Sequence, residues 1–424
     1  MSSVRVLPGP VYGTVRAPPS KSYTHRALVV GHLSGRRFRV RDPLYAEDTI
    51  ATAVAIGRLG SPVVRRQGTW EVRPRALRPP AGPVRIDCGE SGTTLRFAAA
   101  LGAKQARAVT LTGSGRLSER PIEDLLRALN AFGGSSRHLA GSGLPIVVEG
   151  PIHGGRAALN ASRSSQFASS LLFVLPTLTE DSVLMLTGNV VSRPYIDATL
   201  AVLSRHRVHV RRRGRRFSVP GAQTYEGSTF QVPGDASSAS YLWAAAAIAG
   251  GRVRVEGVSR AWPQADLAIL PLLRRNGAKV VEDVRGATVE TGVRRPFRVD
   301  LSDAPDLYPL AGVLAATTPG VSHLVGAEHV ELKESNRKQG TADLARRLGA
   351  TVRGGRDGLR VEGTSRVRAI QVTHLTDHRL VMSAAVGALA GAGASVIGDR
   401  TAVRKSYPGF WSALASIQGG GGQA

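Results

Sequence analysis

An α/β fold of two domains, each built from three copies of a unit of about 70 residues, is the architecture this sequence predicts. Three observations point to it. A polar opening rich in Ser, Thr, Asp and Gly recurs ahead of a nearly all-apolar stretch of helical length. Markers at residues 21, 92, 165, 236, 305 and 378 fall 71, 73, 71, 69 and 73 residues apart. Between these stretches lie segments charged on one face, most of which stop at glycine, as surface helices do. Short alternating runs complete each unit as strands with one wet face.

The openings, in chain order, are Pro19-Ser20-Lys21-Ser22, Glu90-Ser91-Gly92-Thr93-Thr94, Ser164-Ser165-Gln166, Asp235-Ala236-Ser237-Ser238, Asp303-Ala304-Pro305-Asp306 and Asp377-His378-Arg379. The stretches behind them, such as 167–175 and 241–249, are apolar on every face, and a helix of that kind is buried on all sides. Residues 122–133, 264–277 and 340–349 read as amphipathic surface helices, and 252–256 and 369–372 as strands. One unit cannot close its own core, so the six group three and three. This places the first domain at 14–226 and the second at 1–13 with 227–424, with a hinge near 13 and 226 beside the polar stretch 223–228. The glycine-rich tail 419–424 reads as flexible.

With 42% of its 424 residues apolar, the chain has enough material for a large core. At roughly 100–200 residues per domain, two or three domains are expected. The single cysteine, Cys88, excludes a disulfide framework and a cysteine-built metal site. The first residues carry no basic-then-apolar leader, and 383–398, mostly Ala and Gly, falls short of the roughly 20 apolar residues that span a bilayer. A cytoplasmic protein without a membrane partner is the reading. The net charge of +25 comes from 50 Arg and only 6 Lys, a bias that arises without function. The informative residues are the surviving lysines, because a compact ammonium is not interchangeable with a guanidinium fork.

Each opening supplies a cap for the free N–H groups of a first turn, and the same helix end attracts anions. Lys21, Arg26, Arg96 and Arg379 lie in early turns, where the dipole disfavours positive charge. An anionic ligand, phosphate or carboxylate, lying between the two halves accounts for them. There is no Gly-x-x-x-x-Gly-Lys-Ser/Thr loop and no His-Glu-x-x-His helix. The ten histidines are scattered, with His25 and His378 beside motif residues.

Taken together the motifs resemble the 5-enolpyruvylshikimate-3-phosphate synthase family. The run from Pro19 to Arg26 resembles its opening signature, and Cys88-Gly89-Glu90-Ser91-Gly92 through Arg96 its glycine motif. Further matches follow in family order around Arg120, Ser164-Ser165-Gln166, Ser192 to Tyr195, Asp235 to Tyr241, Asp306, Lys333 to Arg337, Asp377 to Arg379 and Lys405. Three of the six lysines, Lys21, Lys333 and Lys405, fall on these motifs. The resemblance implies two domains of three βαβαββ units each, with buried helices aimed at the cleft. It implies transfer of an enolpyruvyl group from phosphoenolpyruvate to the 5-hydroxyl of shikimate 3-phosphate, by addition and then elimination of phosphate. Such chemistry needs a base for the hydroxyl, an acid for C3 of the enol, and cations to hold two anions together.

By that resemblance Asp306 is the base, Glu334 the acid and base at C3, and Lys21 stands near both substrates. The shikimate 3-phosphate set is Lys21, Ser22, Arg26, Ser164, Ser165, Gln166, Ser192, Tyr195, Asp306, His329 and Lys333. The phosphoenolpyruvate set is Lys21, Gly92, Arg120, Gln166, Arg337, Arg379 and Lys405. No metal or cofactor is implied, and glyphosate is expected to compete with phosphoenolpyruvate. Taken singly, Asp306 is a helix cap, Lys333-Glu334 a solvated helix pair and Ser164-Ser165 a turn; their joint order carries the assignment. Three positions depart from the family pattern. Glu90 stands for an asparagine, and Asn336 stands for an aspartate beside Arg337. His329 lies where some members carry asparagine.

Two other readings are weaker. The related transferase acting on UDP-N-acetylglucosamine carries a cysteine near the region of Arg120, where this chain has none; Cys88 reads as packing. A nucleic-acid-binding role rests on the run 205–216, an arginine-rich hairpin poor in stacking aromatics. Salt-sensitive, sequence-blind binding is all that such a run predicts. The default is a monomer without a specific nucleic-acid partner.

Overall fold

The computed structural model describes residues 3–74, 83–326 and 328–419; the tail expected to be flexible lies outside them from residue 420 onward. The chain divides into two compact units, one of Pro19–Pro233 and one of Met1–Pro18 with Gly234–Ala424. The crossings therefore lie at Pro18/Pro19 and Pro233/Gly234, further along the chain than the expected 13 and 226. Strand pairing explains both shifts. Strand Val11–Arg16 pairs along its whole length with Gly251–Glu256, which holds residues 14–16 in the second unit. Strand Thr229–Gln231 pairs with Phe38–Arg41, which keeps it in the first.

Among the described residues of the Pro19–Pro233 unit there are three four-stranded sheets, all with one pattern. Val84–Asp87 runs parallel to Ala108–Thr112, which is followed across the sheet by antiparallel Ile146–Glu149 and Ser135–His138. Gly155–Asn160, Ser182–Thr187, Arg216–Val219 and Arg211–Arg213 repeat it. In both, helices lie between the first two strands and between the second and third in sequence, the βαβαββ order. The remaining sheet borrows its parallel edge, Thr229–Gln231, from the end of the unit. Of the run 205–216 expected as a basic hairpin, Arg205 ends helix Arg193–Arg205 and only Arg211–Arg213 pairs with the strand starting at Arg216; residues 211–216 are all exposed.

The described residues of the other unit form two four-stranded sheets of the same pattern, one borrowing Val11–Arg16 from the N-terminal segment, and a three-stranded sheet in which Val4–Val6 closes on Ser395–Ile397. Its buried helices are Ala236–Ala249, Tyr308–Ala316 and His378–Ala388. The first is buried over 236–248, the second and third at every residue. Small side chains let these helices approach closely. A Cβ on Gly312 would come within 2.0 Å of Thr341 Cγ2, on the surface helix Arg337–Arg347.

The expected surface helix 264–277 is split. Residues 265–268 form a 3-10 turn and only Ile269–Asn276 is α-helical. Pro271 explains the boundary, since a residue without an N–H is tolerated only in a first turn. Cys88 is buried, as packing predicts, and burial pushes its thiol up to about 12. No helix among the described residues is long and apolar enough to cross a membrane.

Candidate active site

In the Pro19–Pro233 unit, the openings of three buried helices, Lys21–Leu33, Gly92–Ala103 and Gln166–Val174, carry ten of the expected residues or stand beside them. Lys21 is the first helical residue. Its Nζ donates to Asp48 Oδ2 at 3.0 Å, and Asp48 opens helix Glu47–Arg58. Arg26, one and a half turns on, is 3% exposed. It donates to Ser22 Oγ at 2.5 Å, the Ser22 carbonyl at 3.0 Å, the Tyr195 carbonyl at 2.7 Å and Thr199 Oγ1 at 3.1 Å. Burial pulls the guanidinium down to about 10. Sequence reasoning assigned this charge to a ligand; the structure engages most of its donors in fixing Ser22 and Tyr195.

A buried hydroxyl relay joins the helices. His25 Nδ1 and Thr52 Oγ1 lie 2.7 Å apart, Thr52 and Thr94 hydroxyls 2.7 Å, and Thr94 Oγ1 is 2.8 Å from Ser91 Oγ, the cap of the glycine-motif helix. Burial drives His25 down to about 3, so this histidine is a neutral member of the relay. Gln166 Nε2 donates to Thr93 Oγ1 at 3.1 Å, bringing two openings together, and its backbone N–H donates to Ser164 Oγ at 3.2 Å. Ser165 and Ser192 are each 3% exposed. Ser192 adopts a left-handed backbone, φ 55°, rare for a residue with a Cβ, directly ahead of helix Arg193–Arg205.

Gly92 is packed beneath two guanidinium groups. A Cβ there would meet Arg96 Nη1 at 2.1 Å and the Arg120 guanidinium at 2.8 Å. Arg96 is itself anchored, donating to the Pro121 carbonyl at 2.6 Å with its charge over the Phe167 ring. Glu90, the departure beside the glycine motif, lays its carboxylate over Gly115, where a Cβ would fall 2.3 Å from Oε1.

The second unit holds an ion cluster centred on Arg337, which is 1% exposed. Arg337 donates to Asp306 Oδ1 at 2.7 Å, Glu334 Oε2 at 2.7 Å and Asp377 Oδ2 at 2.9 Å. The other oxygen of Asp306 accepts from Arg379 at 2.8 Å, and Arg379 also donates to Ser237 Oγ. Burial raises the Asp306 carboxyl, but Arg379, Arg337 and Lys333 outweigh it and hold the group well below the ordinary carboxylate range. Asp377 caps helix His378–Ala388 and accepts from Ser335 Oγ at 2.8 Å. It therefore supplies Arg337 with an acid that the substitution at Asn336 does not, while Asn336 caps the helix that begins at Arg337.

Lys333 and Glu334 lie between the 3-10 turn Glu328–Leu332 and that helix, not within a solvated helix. His329 is 4% exposed; burial first, then Lys333, pushes it down to about 3. Lys405 is 8% exposed and ends the 3-10 turn Arg400–Lys405, which packs on helix His378–Ala388. Among the described residues no group of three His, Cys, Asp or Glu is arranged to hold a metal. Sequence reasoning missed Asp48 as the partner of Lys21, Asp377 as the partner of Arg337, and Ser237 as an acceptor for Arg379. Each reads as a helix-opening acid or hydroxyl, and nothing local distinguishes a cap from a partner.

A family model described as EPSP synthase (3-phosphoshikimate 1-carboxyvinyltransferase) matches residues 7–414. A 3-phosphoshikimate 1-carboxyvinyltransferase of Methanoculleus marisnigri is 41% identical over 410 residues, covering 96% of this chain and 97% of the relative. One from Halobacterium salinarum is 40% identical over 422 residues, covering 97% and 98%. A solved EPSP synthase from Acinetobacter baumannii shares the fold with a TM-score of 0.82 at 23% identity, covering 98% of both chains.

Proposed function

This chain belongs to the EPSP synthase family, and on that premise we infer that it transfers the enolpyruvyl group of phosphoenolpyruvate to the 5-hydroxyl of shikimate 3-phosphate, releasing phosphate. C3 of the enol gains a proton and the hydroxyl oxygen bonds to C2. The adduct then loses phosphate from C2 and a proton from C3. Asp306 takes the hydroxyl proton and Glu334 serves C3. The observation that carries this reading is Asp306 held between Arg337 and Arg379.

A carboxylate held so low is a weak base, and both its oxygens are occupied by the guanidinium groups meant for phosphoenolpyruvate. Anionic phosphoenolpyruvate drawing Arg337 and Arg379 onto itself resolves both difficulties at once. It binds, and it releases Asp306 with its basicity restored. Arg120, Lys405, Lys21 and Gln166 complete the phosphoenolpyruvate contacts, with Gly92 leaving room for them. Ser22, Ser164, Ser165, Ser192, Tyr195, His329 and Lys333 take shikimate 3-phosphate, with Arg26 holding Ser22 and Tyr195 in place. The enzyme acts as a cytoplasmic monomer without a specific nucleic-acid or membrane partner, and glyphosate competes with phosphoenolpyruvate.

The deciding experiment is phosphate release by the purified protein. Release that needs both substrates supports the assignment; release only with UDP-N-acetylglucosamine as acceptor overturns it. A second expectation concerns Gly92→Ala. The new Cβ must push aside the buried, anchored Arg96 guanidinium as well as that of Arg120, so the melting temperature should fall while the variant still folds. The shifted Arg120 should raise KM for phosphoenolpyruvate about tenfold, the scale of one charge-assisted hydrogen bond. An unchanged KM would remove Gly92 from the site.

A further inference from the structure

Resting on the reading of Ser164, Ser165 and Ser192 as contacts of shikimate 3-phosphate, we propose that Asn160 is a positioning residue that sets the spacing of the two loops carrying them. Its amide oxygen ties down the chain just ahead of Ser164 and packs against the turn just ahead of Ser192.

The topology creates the need. Strands Gly155–Asn160 and Ser182–Thr187 are parallel neighbours that end level with each other, Asn160 opposite Thr187. Each runs through a short loop into a helix, Gln166–Val174 and Arg193–Arg205 respectively. Ser164 and Ser165 end the first loop, and Ser192 ends the second. Hydroxyls from two loops grip one phosphate only if their separation is fixed, because a hydrogen bond weakens steeply away from its preferred length and angle.

Asn160 lies where both loops leave the sheet. Its Oδ1 accepts from the Ser162 backbone N–H at 3.1 Å and from Ser162 Oγ at 2.8 Å, which pins the first turn of the first loop. A backbone N–H can only donate, so the atom it meets is the amide oxygen and not the NH2. The second loop closes on the same atom. A Cβ at Gly188 would fall 2.5 Å from Asn160 Oδ1, and Gly188 takes φ 72°, so only glycine lets the loop pass so near. Two backbone bonds complete the seam. Ala161 N–H donates to the Thr187 carbonyl at 3.1 Å, and Val191 N–H donates to the Ala161 carbonyl at 3.3 Å. The second adjoins Ser192, whose left-handed backbone persists only where its surroundings hold it. Further from the loops, Thr199 Oγ1 donates to Ser169 Oγ at 2.9 Å and joins the two helices. Asn160 thus governs the end of the seam nearest the serines. Gln166, which serves both substrates, has its own tie to Thr93.

The test measures both Michaelis constants in Asn160→Ala, Gly188→Ala and the double variant. Ser164→Ala combined with Ser165→Ala is the reference, and melting temperature is the control on folding. The expected result is a KM for shikimate 3-phosphate raised about tenfold in either single variant, with KM for phosphoenolpyruvate unchanged. Left-handed strain at position 188 is common to both backgrounds, whereas the collision with Asn160 disappears once that side chain is cut back. Gly188→Ala should therefore cost much less in the Asn160→Ala background. Equal rises in both constants, or additive losses, would overturn the positioning role in favour of general loosening. If the serine reference raises KM for shikimate 3-phosphate and Asn160→Ala does not, Asn160 loses its role and the serines keep theirs. If the reference leaves that constant unchanged, both assignments fall. Should Asn160→Ala not fold, Ser162→Ala decides, since it removes one of the two bonds to the same oxygen. A rise of about threefold in KM for shikimate 3-phosphate alone supports the role, and no rise ends it.

Discussion

Asp306→Ala is expected to cut turnover by at least ~100-fold, the usual scale for a lost acid–base group, while phosphoenolpyruvate binds as tightly as before or more tightly. The second half of that expectation separates this structure from a site built only to bind. In the free protein Asp306 competes with the substrate for Arg337 and Arg379. Removing it costs neither cation its place, because Arg337 keeps Asp377 and Glu334 and Arg379 keeps Ser237. Calorimetric titration of phosphoenolpyruvate against the variant gives the answer. Binding weakened tenfold or more would mean that Asp306 organises the cations rather than contesting them, and near-normal turnover would remove it from the chemistry. The pH dependence of the unmodified enzyme carries the same signature. With phosphoenolpyruvate varied, kcat/KM reports the protein before that substrate binds, where the guanidinium groups hold Asp306 low. kcat reports the complex, where they have moved to the substrate. The acid-side inflection of kcat should therefore lie at higher pH than that of kcat/KM, and the reverse order would contradict release of the base.

The sixfold spacing was legible because burial on all sides leaves a compositional mark, as in 241–249, that no surface segment imitates. The crossings between units were not legible to better than several residues. Val11–Arg16 and Thr229–Gln231 each finish a sheet whose other strands lie far away in the chain. Resemblance marked Asp306, Arg337 and Arg379 one by one, yet their mutual bonding, which makes the base weak until substrate arrives, depends on side chains 31 and 73 residues apart meeting. Arg26 shows the opposite limit. Its position in an early helical turn correctly signalled an unusual cation, but the partners that explain it include Tyr195 and Thr199, which no local pattern connects to it.

Arg337→Met should be the most damaging single change to the stability of its unit. The methionine fills much of the same volume but leaves Asp377, whose side chain is 1% exposed, without its principal cation. Breaking a buried pair from one side costs about 3–5 kcal/mol. Asp306 and Glu334, at 23% and 13% exposure, lose a partner as well but retain some access to water, so the larger share falls on Asp377. The sign of the pH dependence identifies the cause. In the unmodified protein, burial raises the Asp377 carboxyl, but Arg337 outweighs it and holds the group low. That stabilisation is present above the unfolded value of about 3.9 and is lost only as pH falls further, through the folded value. In the variant the same carboxyl is buried without its cation and its affinity for protons rises, so protonation relieves the variant before it harms the parent. The difference in urea midpoint between the two proteins should accordingly be widest near pH 7 and narrow as pH falls towards about 4. A gap that stays constant over that range would assign the loss to packing around the arginine stem instead of to the stranded carboxylate.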